Sequence, residues 1–169
     1  MLAEVAQYLS MIEDLRGQVG ELVVGAPAEA LNWRPVDVAA LTDDDHATNS
    51  LAVLATHVAG AEHHWIAEVI GQRPETRVRP EEFETVAESA EGLQEQLAAV
   101  EKETREILPA LDEETLAGDC NARGHIVPVR WAILHVIDHT ALHLGHMQLT
   151  LQLWQGGRAA GGPRWFERV

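Results

Sequence analysis

Residues 128–155 place the strongest limit on what this chain can fold into. Ala132, Val136, His139, His143, Met147, Thr150 and Trp154 recur at spacings of four and three, so they share one side of a helix. Leu134, Ile137, Leu142, Leu144 and Leu151 flank that seam. A helix apolar over most of its girth needs neighbours on several sides. Pro128 reads as its first-turn residue, and Gly156 and Gly157 as its stop.

Three more helical stretches supply those neighbours. Val5, Leu9, Ile12, Leu15, Val19, Leu22 and Val23 mark an amphipathic helix over residues 2–24, ended by Pro27. Residues 28–47 read as an irregular link, with an acidic turn at 43–45. A second helix starts at a cap among Thr48, Asn49 and Ser50, runs through Leu51, Leu54, Val58, Ala61, Trp65 and Val69, and stops at Gly71. A third begins near Pro80, with Phe83, Val86, Leu93, Leu97, Val100 and Ile107 inward and a break allowed at Gly92; Pro109 ends it. Residues 111–127 read as loop. Four helices and no convincing strand predict an all-α antiparallel four-helix bundle with long inter-helix loops, in one domain over 1–169 with a Gly-rich tail at 156–169.

Composition narrows the function. With 12 Lys and Arg against 27 Asp and Glu, the formal charge is −15. Nucleic acid and anionic membranes both need clustered cations, so neither is expected as a partner. No leader segment or membrane-length apolar run is evident, which makes the cytoplasm the expected location. The single Cys, Cys120, excludes a disulfide framework or a Cys-rich zinc module. As a lone thiol in a loop with no base at a telling spacing, it is also a poor nucleophile.

Nine His residues stand out in 169. His139 and His143 lie four apart on the apolar seam, about 6 Å along the axis, where two imidazoles can converge on one metal. An unpaired polar ring there would cost on the order of 1–3 kcal/mol. The second helix offers His57 or His64, which are two turns and about 11 Å apart, so only one can join the same ion. His135 flanks the seam, and His146 faces either the opening of the site or solvent. His63, His46 and His125 read as surface. The Glu-x-x-His pairs of ferritin-like di-iron sites and the His-Glu-x-x-His helix of metalloproteases are absent.

Three segments together resemble the DinB/YfiT-like family of four-helix bundles, over about residues 2–156. They are Leu31-Asn32-Trp33-Arg34-Pro35, the second-helix run from Ser50 through His57 to Trp65, and the last-helix run from His135 through His139 and His143 to Gly145-His146. Many members carry Gln after that Gly, where this chain has His146.

The resemblance implies that His57, His139 and His143 hold one divalent metal, zinc or nickel. Three neutral imidazoles leave at least one coordination position open, as in catalytic sites. It also implies a homodimer, for which Trp131, Ile133 and Trp154 are spare apolar residues. The family contains enzymes that use mycothiol or bacillithiol, so the expected reaction is activation of a low-molecular-weight thiol for S-transfer or isomerisation of a small-molecule substrate. Two alternatives stay open: hydrolysis with a metal-bound hydroxide as nucleophile, and a non-catalytic, stress-related metal-binding bundle. His146, Asp138 and Glu62 are the candidate acid–base helpers. Arg34 and Arg123 are the candidate cations for an anionic substrate.

Overall fold

The computed structural model describes residues 1–36 and 48–158. His46, the acidic turn at 43–45 and the tail with Trp165 and Phe166 lie outside the described residues. Helix α1 spans Ala3–Val24, and a short α2, Ala28–Asn32, occupies the start of the expected irregular link. Its Asn32 side chain exchanges two hydrogen bonds with the Ala87 backbone, at 2.7 and 2.9 Å. Helix α3 covers Leu51–Glu62, and Ser50 caps it by accepting the Val53 amide. The same rod continues as a π-helical segment, His63–Ile70, in which bonds reach the fifth residue; Gly71 N to Ile66 O measures 2.8 Å.

The expected third helix is two elements. Helix α4 is Arg79–Glu82, and α5 is Ala90–Ile107. The interruption lies at residues 83–89, ahead of Gly92, and Val86 faces solvent there instead of the core. The expected loop at 111–127 contains α6, Glu113–Ala117, and an antiparallel hairpin of β1, Asp119–Ala122, with β2, His125–Pro128. Arg123 (φ 53°) and Gly124 (φ 93°) form its two-residue turn. Two positive-φ residues are the requirement of a type I′ turn, but Arg-Gly is a weak sequence signal for one. Pro128 therefore ends a strand and caps α7, Val129–Trp154, from outside its first turn.

The four long helices form an all-α bundle in which α1 touches α5 and α7, and α3 touches the same two. Glu13 meets Arg105 and Gly20 lies beside Leu97, so α1 and α5 are antiparallel. His57 meets His139 and Trp65 meets Trp131, so α3 and α7 are antiparallel as well. Glu4 with Arg130 aligns α1 with α7, and Glu62 with Thr104 aligns α3 with α5. Two consecutive long helices that point the same way need a return crossover. Residues 71–89 provide it, running back beside α3.

Two buried apolar clusters fill the bundle. One joins Val19, Leu31, Leu54, Leu97, Leu144 and Met147; the other joins Val5, Ile12, Ile66, Leu108, Ile133 and Val136. Ile133 is fully buried in the second cluster and is not a spare surface residue. Helix α7 is less enclosed than its composition suggests, because Trp131, Leu134, Leu142, Leu149 and Trp154 remain exposed. No helix among the described residues is long and apolar enough to cross a membrane.

Between the clusters lies a buried ion pair. Glu62 is bonded to Arg16 and, at 2.5 Å, to the Thr104 hydroxyl. Both charged side chains are almost fully enclosed, at 4% and 6% exposure. Burial pushes the Glu62 carboxyl up, against the opposing pull of Arg16. Arg16→Ala would strand that acid, so the expected loss is about 3–5 kcal/mol, read as a lower urea midpoint at an unchanged slope.

Candidate functional site

Helices α3 and α7 bring together the three imidazoles singled out by sequence. The nearest ligand nitrogens of His57, His139 and His143 all lie within 4.8 Å of one another. Their ring centroids are 4.4 to 5.0 Å apart. The antiparallel crossing explains the match. A four-residue step on α7 advances about 6 Å, and His57 comes to both of its rings from the facing helix.

The contact between His57 Nε2 and His139 Nε2 is 3.1 Å. Nitrogens bound to one tetrahedral zinc at 2.0–2.1 Å would sit about 3.3 Å apart, so the pair is already near ligand spacing. On its other edge, His57 Nδ1 is 2.7 Å from Glu82 Oε2. Burial raises the Glu82 carboxyl, but bonds from His57 and Arg77 outweigh it and hold the group below its usual value. An ionised carboxylate only accepts, so His57 Nδ1 donates. In the neutral ring, the free lone pair is then on Nε2, facing the cluster.

The α7 imidazoles are held neutral. Burial, followed by the neighbouring His143, His57 and His135, pushes His139 down to about 3. Burial, followed by His57 and His146, pushes His143 down to about 4. His139 Nδ1 is buried and has no hydrogen-bond partner. Three converging imidazole nitrogens, one of them on a ring whose outer edge is held by a carboxylate, suit a borderline divalent cation.

The surroundings only partly match the sequence reading. His135 flanks the site as expected, stacked on Trp131 at 5.0 Å and 5.6 Å from the His139 ring. His146 is exposed, with Nδ1 3.4 Å from His143 Nδ1. A cleft of about 330 Å³ opens beside these two, between Leu54, Leu149 and Leu153 and the link residues Pro35, Thr48 and Asn49. A larger cleft, about 460 Å³, runs past Glu82, Arg77 and His63, and none of the three clustered imidazoles lines it.

Several expectations are corrected. Glu62 belongs to the Arg16 pair and neither lies on the surface nor serves the cluster. Asp138 is exposed on the outward side of α7, with Leu142 and Leu149, away from His143. Arg34 is spent on the carbonyls of Thr48 and Phe83, at 3.5 and 3.2 Å. Arg123 sits at the hairpin tip against Glu75. His63 is not a surface residue, because it bridges Glu103 and Thr76 at 2.7 and 2.8 Å. His64 is buried and pairs with Glu68 at 2.6 Å, outside the cluster. Cys120 is half-buried, bonded to Val127 O, and its thiol is pushed up by burial and by Asp119. That is the opposite of what a nucleophile needs.

Sequence reading missed Arg77 and Glu82. Arg77 Nε and Nη2 grip the two Glu82 oxygens at 2.6 and 2.9 Å. Glu68 fixes the start of that loop by accepting the amides of Thr76 and Arg77. Those bonds and His64 outweigh its burial and bring its carboxyl down to about 2. No spacing in the sequence connects residues 77 and 82 to residue 57.

No curated protein matches the chain. Solved structures share its fold. A conserved protein from Enterococcus faecalis aligns at 17% identity and TM-score 0.69, covering 92% of this chain and 99% of that one. A DinB-like protein from Bacillus cereus aligns at 15% identity and TM-score 0.69, covering 92% and 95%. A family model described as mycothiol S-transferase matches residues 7–156. The chain therefore belongs to the mycothiol S-transferase family, within the DinB-like helical bundles that its His-bearing helices resemble.

Proposed function

We propose that this protein is a divalent-metal-dependent thiol S-transferase whose ion, zinc or nickel, is held by His57, His139 and His143. The observation that carries this reading is the convergence of three imidazoles within 4.8 Å, taken with membership of a thiol-transferase family. The bound ion would supply Lewis acidity that lowers the pKa of a thiol. The substrate is a low-molecular-weight thiol, with mycothiol the first to test. In the overall reaction the S–H bond breaks, sulfur bonds to an electrophilic carbon, and the leaving group departs with its electron pair.

The chain's own residues do the rest. His139 and His143 stay neutral, and His57 turns Nε2 toward them. The cleft beside His143 shelters the reacting groups between Leu54, Leu149 and Leu153. His146, exposed at its rim, would take the thiol proton. Hydrolysis is the weaker reading, because Glu62 is locked to Arg16 and Asp138 faces outward. A reducing cytoplasm suits a thiol substrate. A homodimer would pair the exposed α7 stripe of Trp131, Leu134, Leu142 and Leu149. In that case Leu142→Lys shifts the sedimentation coefficient to that of a monomer, and a wild-type monomer would refute the pairing.

Protein purified without an affinity tag is expected to carry about one divalent ion per chain. His57→Ala and His139→Ala lose it, together with thiol-dependent turnover. Full occupancy in both variants would overturn the assignment. Acid should weaken the metal-free fold early. Unfolded His139 and His143 take up protons below the ordinary histidine value of 6.5, whereas the folded rings resist until about 3 and 4. Stability is therefore flat above about pH 6.5 and falls as pH drops from there toward 4. Urea midpoints across that range, compared with His139→Gln, would show it; an equal slope in both proteins would refute it.

A further inference from the structure

Glu82 reaches His57 because α3 has no side chain at position 60. A Cβ built on Gly60 would overlap Glu82 Oε1, lie 2.9 Å from its Cδ and approach Arg77 Nε to 3.3 Å. Gly60 follows His57 by three residues, so both occupy the helix face along which the 71–89 crossover returns. Glycine inside a helix is otherwise unfavourable. Here it opens the gap through which a carboxylate and a guanidinium enter. Arg77 holds both oxygens of that carboxylate, and Arg77 itself is set by the two amide bonds to Glu68.

We propose that Gly60, Arg77 and Glu82 form a cradle that locks His57 in its Nδ1–H tautomer, with the Nε2 lone pair turned toward His139 and His143. These are positioning residues: they act on His57 and not on substrate. The consequence for metal affinity rests on the reading of His57 as a ligand, whereas the tautomer itself does not. A carboxylate on the far nitrogen orients an imidazole and raises its basicity, and its loss costs a metal site about 10- to 100-fold in affinity.

The atoms that a new Cβ would displace belong to the far end of a flexible side chain, so Gly60→Ala can move Glu82 while leaving the helix in place. The test pairs Gly60→Ala with Glu82→Gln. Nitrogen-15 NMR of the metal-free proteins, with His57 assigned by comparison with His57→Gln, reads the tautomer directly. Wild type is expected to show Nδ1–H alone, and both variants a mixture with Nε2–H. Zinc affinity, measured by chelator competition, is expected to fall about 10- to 100-fold. The melting temperature of Gly60→Ala holds or rises, because Ala is the better helix former. Gly92→Ala, whose Cβ would meet nothing within 4 Å, leaves both readouts unchanged. A mixed tautomer in wild type, or variants with the wild-type tautomer, would overturn the cradle. So would affinity losses that merely track losses in melting temperature. If wild type binds no zinc, the metal reading fails and the NMR comparison alone decides the cradle.

Discussion

His57 Nε2 and His139 Nε2 face each other at 3.1 Å inside the bundle. Two imidazolium charges could not share that space, because burial penalises each ion and proximity adds repulsion. Much of the site follows from keeping the α7 rings uncharged. Apolar packing on α7 strips water from His139 and His143 and pushes both far below the usual histidine value. The acid that touches the cluster, Glu82, approaches only the outer edge of His57, where it orders a proton without filling the space between the rings. The result is a cluster of ring nitrogens in which His139 Nε2–H meets His57 Nε2 and the buried His139 Nδ1 has no partner, a poor arrangement by itself and a good one for a cation.

The bundle's topology makes this possible. Because α3 and α5 run the same way, the chain must climb back along α3 before starting α5. That return lays Arg77 and Glu82 against the His57 face. The π-helical segment contributes as well: it places Glu68 beneath residues 76 and 77 and closes the loop with two backbone bonds. On the far side of the crossover, Asn32 pins residue 87. The connection is thus tied at both ends, which is what a positioning carboxylate needs to be effective.

The charge of −15 takes on a different meaning beside this network. Several acids are inside the protein or at its seams, and each has an assigned cation or donor: Glu62 with Arg16, Glu82 with Arg77 and His57, Glu68 with His64 and two amides. Other described acids, among them Glu81, Glu88 and Glu95, are exposed. Arg34 and Arg123 also have partners, the carbonyls of Thr48 and Phe83 for the one and Glu75 for the other.

Sequence alone determined the helical layers, the seam on the last helix and the pairing of His139 with His143. Those depend on local periodicity, and a four-residue step on a helix has one geometric meaning. It could also name His57 over His64 by resemblance, and the structure places His57 at the cluster and His64 against Glu68. It could not find the hairpin, whose Arg-Gly turn lacks a strong local signature, nor the exposure of Leu134 and Leu142, which depends on how many neighbours α7 receives. Nor could it separate Glu62 from Glu82. Both are acids near apolar stripes, and only the relative directions of the helices decide that one meets Arg16 and the other His57. Contacts across 25 or 46 residues of chain have no repeat to announce them; they exist because packing the core leaves each buried charge one place to find its partner.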